Sequence, residues 1–230
     1  MNSTVIAKRP AASAQPRRYA QLPRYFRWFS DHCVLRQLDE SDVARIWRAV
    51  LHPGFARCFT GPIPRSIEDV SDFVRSSQAD WQRGVRYTMA VMRKQTQEFV
   101  GCVELQAGAD KGVWTIDWFI HPDFVGVTVS GEALVAAADL MFSALDAQKL
   151  YATCAPGHAY FERLLNDAGF IELVPAGSLD HATGHPRRDS LYEFGRRDWQ
   201  AMRLERGVNA DETSFIARVT TGLRLELALV

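Results

Sequence analysis

Apolar positions between residues 33 and 200 switch repeatedly between a period of two and a period near four, which predicts strands and helices in alternation. Residues 33 to 38 read as a strand. Asp39-Glu-Ser-Asp42 then supplies helix-start acids ahead of Val43, Ile46, Trp47 and Val50 at helical spacing. After the Gly61-Pro-Ile-Pro64 break, Ser66, with Asp69 three residues on, predicts the cap of a second helix. Its buried stripe is Ile67, Val70, Phe73, Val74, Ser77 and Trp81, and Gly84 ends it. Residues 87–92, 99–106 and 113–120 are strand-like and separated by short polar turns, the pattern of an antiparallel meander.

A glycine-containing loop over residues 122–130 leads into a long helix over 131–145, with Leu134, Ala137, Ala138, Met141, Phe142 and Leu145 inward. Residues 149–154 form a short strand. Residues 159–168 form a helix with Phe161, Leu164, Leu165 and Ala168 on one face, stopped by Gly169. Strands over 170–174 and 190–194 follow. The order β α α β β β α β α β β predicts an α/β (α+β) fold, a mixed, mostly antiparallel twisted sheet with helices on both faces.

The ends of the chain behave differently. Residues 1–30 form a basic, proline-containing arm with Pro10, Pro16 and Pro23, closed by an aromatic cluster at Tyr25, Phe26, Trp28 and Phe29. That cluster docks the arm on the body or meets a partner. The folded domain is expected over 31–202, and 203–230 form an extension whose apolar end, 223–230, packs on the body or on a partner, which leaves a homodimer open.

Composition adds limits. The 230 residues suit one large domain, and 47% hydrophobic residues are enough for a core. Lysine plus arginine equals aspartate plus glutamate at 27 each, so no global field draws the protein to nucleic acid. All six bases of residues 1–30 lack acidic neighbours there, so this arm fits an organelle transit peptide, a solvated leader or a basic contact arm, and the remainder is mildly acidic. RNA contact through the arm's Tyr19, Tyr25, Phe26 and Trp28 is disfavoured by net neutrality. No apolar run reaches membrane-helix length, and no h-region follows the N-terminal bases. Cys33, Cys58, Cys102 and Cys154 are too sparse for a disulfide scaffold, which suggests reduced thiols and a cytoplasmic location. His181 and His185 are four apart, but Gly184 and Pro186 break the helix that would aim both at zinc, so no metal is expected.

Six short words then recur in one order: Leu35-Arg-Gln-Leu38 with Asp42; Pro64-Arg-Ser-Ile-Glu-Asp69; Trp118-Phe-Ile-His-Pro-Asp-Phe124; Glu132-Ala-Leu134; Leu164-Leu-Asn-Asp-Ala-Gly-Phe170; and Asp189-Ser-Leu-Tyr-Glu-Phe194. With the loop-to-helix junction after the fourth strand, this resembles the GCN5-related N-acetyltransferase (GNAT) superfamily, in the branch of ribosomal-protein N-terminal acetyltransferases. The resemblance implies acetyl-coenzyme A as co-substrate, an amine-bearing acceptor and no metal. It implies a strand that bulges and splays from its neighbour, with Phe119 and Ile120 as the pantetheine edge. Pyrophosphate would meet backbone N–H groups at a helix start, here Val125, Gly126, Val127, Thr128, Val129, Ser130 and Gly131.

The match is incomplete there. The family's Q/R-x-x-G-x-G/A falls on residues 125–130, with Val125 for the polar residue and Thr128 for a glycine; the N-x-x-S word falls on His158-Ala-Tyr-Phe161, losing both Asn and Ser. These losses support a rival expectation, a non-catalytic GNAT fold that senses acyl-coenzyme A or binds a protein; an enlarged acyl pocket is a third. For direct transfer to a primary amine, Asp117 is the first base candidate, a carboxylate on an apolar strand, or else satisfied by a neighbouring arginine or a strand turn. Glu104 on the preceding strand is the second, or an exposed edge carboxylate. Tyr160 and His158 are acid candidates for the leaving thiolate, against packing and helix capping respectively. Cys154 reads as core, and Glu132 as a partner of its helix dipole.

Overall fold

The computed structural model describes residues 22–57, 59, 62–178, 185–186 and 188–205. Eight strands form one sheet in the order β1-β2-β3-β4-β5-β6-β8-β7: Arg27–Phe29 (β1), Cys33–Gln37 (β2), Arg86–Arg93 (β3), Phe99–Ala107 (β4), Val113–Ile120 (β5), Lys149–Cys154 (β6), Ile171–Val174 (β7) and Ser190–Gly195 (β8). Every pairing is antiparallel except that of β5 with β6. Helices Ser41–Val50 (α1), Ile67–Arg83 (α2), Thr128–Ala144 (α3), Ala159–Asp167 (α4) and Arg196–Glu205 (α5) flank it. The mixed, mostly antiparallel α/β class expected from the pattern is the one observed.

Strand alternation splits the core in two. Tyr87, Met89, Val91, Val103, Leu105, Trp114, Ile116 and Ile120 face α3, whose Leu134, Ala137, Leu140 and Met141 are buried against them. Ala90, Met92, Phe99, Cys102 and Phe119 face the opposite way, onto Ile46 of α1 and Val70 and Val74 of α2. The two faces close over a sheet whose central strands are buried on both sides.

Local chemistry starts and stops these elements. Ser66 and Asp69 form a capping box on α2: Asp69 N–H donates to Ser66 Oγ at 3.2 Å and Ser66 N–H to Asp69 Oδ2 at 3.1 Å. Gly84, at φ 65°, ends that helix in the left-handed region. The Leu35-Arg-Gln-Leu38 word is an ion-pair clamp. Arg36 reaches fully buried Asp42 through two bonds of 2.6 and 2.8 Å, and Arg45 adds a third of 2.9 Å.

Three elements differ from the pattern reading. The aromatic cluster after Pro23 enters the fold: β1 pairs with β2, and Phe26 and Trp28 are buried, so it docks on the body, while Tyr25 and Phe29 stay exposed. α3 begins at Thr128, a turn before the glycine taken as its start, because Thr128 needs only a helical backbone. α5 follows β8 directly. Six of its ten residues are polar, which obscures its period; only Trp199 is buried, stacked on Phe142 of α3 at 5.3 Å.

Candidate active site

The sheet opens between β5 and β6. These strands pair only over Val113, Thr115 and the residue between, opposite Lys149 to Tyr151, while β4 stays paired with β5 as far as Gly101 opposite Ile120. Gly101 explains the close grip on that side: a Cβ there would lie 2.1 Å from the Phe119 carbonyl oxygen. The bulge lies beside it, where Val91 faces Gly101 but Met92 faces Phe99. The expected bulge is thus on β4, and the strand that splays is β5, two features the resemblance placed on one strand.

Asp117, Trp118, Thr153, Cys154, Ala155, His158 and Phe161 line the gap. Its enclosed volume is about 20 Å³, about one water's worth. Trp118 and Phe161 meet edge to face across it, with ring centroids 6.1 Å apart. The indole Nε1–H of Trp118 is buried there without a hydrogen-bond partner, a donor that costs about 1–3 kcal/mol until something accepts from it.

Asp117 reaches the gap from the α1/α2 side of β5. It stays open to solvent, and its Oδ1 accepts the Trp118 backbone N–H at 2.8 Å. The surrounding protein walls push its pKa above the usual carboxylate value. The Trp118 N–H opposes that rise, and the Glu104 and Asp189 charges add to it. No arginine pairs with Asp117 among the salt bridges of the described residues. Glu104 stands directly across the ladder from Asp117 but is engaged by Arg86 at 3.2 Å and by the Thr88 hydroxyl at 3.2 Å.

The start of α3 adjoins the start of α4, where His158 and Phe161 line the gap. The 3₁₀ turn Pro122–Phe124 is followed by Gly126 at φ 83°, with nothing within 4 Å of a built Cβ, and by Val127 as the helix cap. Thr128 and Val129 hold the first two helical positions, whose N–H groups have no intrahelical acceptor. Thr128 is exposed, Val129 and Ser130 are buried, and Val125 and Val127 are exposed apolar flanks. Gly131 permits close packing of α3 on Leu164 of α4, 3.2 Å from a built Cβ.

The acid candidates occupy the start of α4. His158 is its N-cap residue, makes no side-chain cap bond, and lies 5.8 Å from the Phe161 ring. The Tyr160 hydroxyl makes a short bond with Ser130 Oγ, which itself donates to the Val127 carbonyl at 2.7 Å. A serine hydroxyl has one proton, so Tyr160 is the donor to Ser130 and its own proton is occupied. This link ties the starts of α3 and α4 together.

Phe119 and Ile120 bring backbone to the gap but send their side chains elsewhere. Phe119 packs with Phe55, Phe59 and Phe99 at 5.7, 6.1 and 6.0 Å, and Ile120 is in the α3-side core. Glu132 does more than face a helix dipole: it accepts from His32 N–H and from the His32 ring at 2.7 Å each, and from the Ser30 hydroxyl. Burial raises its pKa and these donors outweigh it, leaving it below the ordinary value. Cys154 is buried, and burial pushes its thiol to about 11, which makes it a poor nucleophile at neutral pH.

Pattern reading overlooked Trp118 and Thr153 as cleft residues, and the indole's orphaned N–H has no local sequence signal. Among the described residues no group of three or more histidine, cysteine or acidic side chains converges to hold a metal, and His181 lies outside them. No described helix is long and apolar enough to cross a membrane.

Comparison with known proteins agrees with this geometry. The family model described as "Acetyltransferase (GNAT) domain" matches residues 32–171. No curated protein matches the chain. Among solved structures, RimL, a ribosomal L7/L12 alpha-N-protein acetyltransferase in complex with coenzyme A, is 16% identical, with 72% of this chain and 95% of that one covered at TM-score 0.62. Mycobacterium smegmatis RimJ, in complex with CoA-disulfide, is 18% identical, covering 72% and 83% at TM-score 0.62. Spermidine N-acetyltransferase from Vibrio cholerae, in complex with CoA and spermine, is 15% identical, covering 74% and 99% at TM-score 0.60. With the domain match spanning more than half of the chain, this protein belongs to the GNAT acetyltransferase family.

Proposed function

We propose that the chain is an acetyl-coenzyme A-dependent N-acetyltransferase that moves the acetyl group directly to a primary amine of a small molecule, peptide or protein N-terminus. The observation that carries this reading is the parting of β5 from β6 with Asp117 at the parted edge, followed in the chain by a helix, α3, whose first N–H groups have no acceptor within the helix. The structural neighbours bound to coenzyme A, one of them a ribosomal L7/L12 alpha-N-protein acetyltransferase and the other a spermidine N-acetyltransferase that also holds spermine, support the donor and an amine acceptor.

The residues present fit such a donor. Gly126 leaves open space where a phosphate would approach, and the Thr128 and Val129 N–H groups sit at the positive end of α3. The orphaned Trp118 Nε1–H suits a carbonyl of the pantetheine arm. The thioester supplies an activated acyl group; the protein's part is to orient it and handle protons. Asp117 takes the proton of the attacking amine, since its walls favour the protonated form more than water does. Glu104 serves as its charged neighbour, because Arg86 already holds it. His158 is the better placed of the two acids for the departing thiolate: its ring lines the gap, while Tyr160 must first release Ser130. Buried free thiols at Cys33, Cys102 and Cys154 suit a cytoplasmic setting.

A specific observation also favours the non-catalytic reading: the gap encloses only about 20 Å³, so the acyl arm enters only if its lining, Trp118 and Phe161 included, moves apart. The two readings part in one assay. The protein is incubated with acetyl-coenzyme A and, in turn, a peptide with a free N-terminus, a polyamine and an arylamine, while thiol release and acetylated product are followed. Acceptor-dependent thiol release with at least one amine is expected. Binding of acetyl-coenzyme A without release above the acceptor-free rate for any of them would leave the sensor reading standing instead.

A further inference from the structure

Asp117 is bonded to a backbone N–H at the parted edge of the sheet. His121 N–H donates to the Val100 carbonyl at 2.7 Å, and the β4/β5 register continues from that pair. In an antiparallel ladder alternate residues turn their N–H groups to opposite edges, so Phe119 and Asp117 face β4 while Trp118 N–H faces the gap. β6 has already departed at that level. The acceptor that Trp118 N–H finds is the carboxylate of its own chain neighbour, at 2.8 Å.

We propose that Asp117 is parked on the Trp118 N–H in the free protein and hands that donor to the acyl carbonyl oxygen when the thioester enters, so that the base is released only once the acyl group is in place. This rests on the acetyl-coenzyme A reading above. The Trp118 N–H is fixed by the β4/β5 ladder and faces the open edge, where a developing negative charge on the carbonyl oxygen would be stabilised. Asp117, at the same edge, swings on its own side-chain bonds without disturbing the strand.

The handover changes the proton balance. The carboxylate loses a hydrogen bond that favours its charged form, and the incoming arm removes water from around it; both changes raise its affinity for a proton. Glu104 from β4 and Asp189 ahead of β8 act in the same direction, and His158 and Cys154 are the other titratable groups lining the gap. No covalent bond changes at this stage; a solvent proton is taken up by Asp117. In the transfer that follows, which needs the ionised form of Asp117, the amine nitrogen bonds to the carbonyl carbon, the carbon–sulfur bond breaks with its electron pair leaving on the coenzyme A thiolate, and the amine proton passes to the Asp117 carboxylate. Without the donor, Asp117 is the weaker base.

Calorimetric titrations in buffers of different ionisation enthalpy, from about pH 5 to pH 7 and so above the ordinary carboxylate range, read this uptake directly. Acetyl-coenzyme A and coenzyme A share every phosphate, and only the former has the acyl carbonyl. Acetyl-coenzyme A is expected to take up more protons than coenzyme A on binding, with the difference gone in Asp117→Asn, whose side-chain carbonyl still accepts from Trp118 but does not titrate. Equal uptake for the two ligands, or an excess that survives Asp117→Asn, would overturn the handover and leave the acetyl-coenzyme A reading intact. Failure of both ligands to bind the folded protein would overturn both.

Discussion

Asp42→Ala is expected to cost about 3–5 kcal/mol of folding stability, the range for breaking a buried ion pair from one side. Asp42 has no solvent exposure and receives Arg36 twice, Arg45 once and the Asp39 backbone N–H at 3.0 Å. Removing the carboxylate leaves the guanidinium of Arg36, only 16% exposed, facing exposed Asp39 at 3.3 Å as its remaining acid. The cluster fastens β2 to α1. In a protein of this size the melting temperature should fall by about 10 °C or more, measured alongside urea unfolding. A loss below about 1 kcal/mol would place the pair among ordinary surface ion pairs.

Asp117→Asn acts in the opposite sense on stability and far more strongly on rate. Loss of a positioned general base lowers kcat/KM by about 10²–10⁴-fold. The pH profile sharpens this. In the parent, kcat/KM should rise with pH through a limb that lies above the ordinary carboxylate range, because the pKa of Asp117 is raised by its walls; in the variant the limb should vanish. The stability sign follows from linkage. A carboxyl raised in the folded state contributes stability that is complete below its unfolded pKa and is lost as pH climbs through the folded value. Removing it spares the protein that loss. The melting temperature of Asp117→Asn relative to the parent should therefore increase between about pH 4 and pH 7. A variant with full activity and an unchanged profile would take Asp117 out of the chemistry.

The parts of this molecule legible in its sequence are those fixed by neighbours in the chain. Ser66 and Asp69 announce the start of α2 because a capping box is complete within four residues, and Gly84 announces its end. The three-strand meander is legible because its turns are short and its alternation is clean. The family words turn out to be joints of the fold: Leu35-Arg-Gln-Leu38 and Asp42 form the buried clamp, and Leu164 to Phe170 ends on Gly169, at φ 97°, against Phe194.

What stayed hidden depends on partners far along the chain. The short α5 is held by Trp199 on Phe142, a contact across 57 positions that no local period reveals. The same holds for the candidate site. Asp117 stood out as a lone acid on an apolar strand, but its bond to Trp118 N–H exists because β6 leaves at Thr115. Trp118 and Phe161 look like ordinary core residues in sequence, and only the meeting of β5 with α4 places their rings across the gap. Val125 and Thr128 looked like damage to a phosphate loop; in the fold Thr128 opens the helix with its N–H unengaged by the helix.

The most direct test of the account is the affinity of the parent protein and of Thr128→Glu for acetyl-coenzyme A. Glutamate at the first helical position favours α3 itself, so the variant should fold as well as the parent, while its charge stands where pyrophosphate is expected. Micromolar binding by the parent, about −8 kcal/mol, with at least about tenfold weaker binding by Thr128→Glu, is the predicted result. Parent protein that is folded and binds neither acetyl-coenzyme A, coenzyme A nor a longer acyl-coenzyme A, or a Thr128→Glu variant that binds as tightly as the parent, would contradict the placement of the acyl donor at the start of α3.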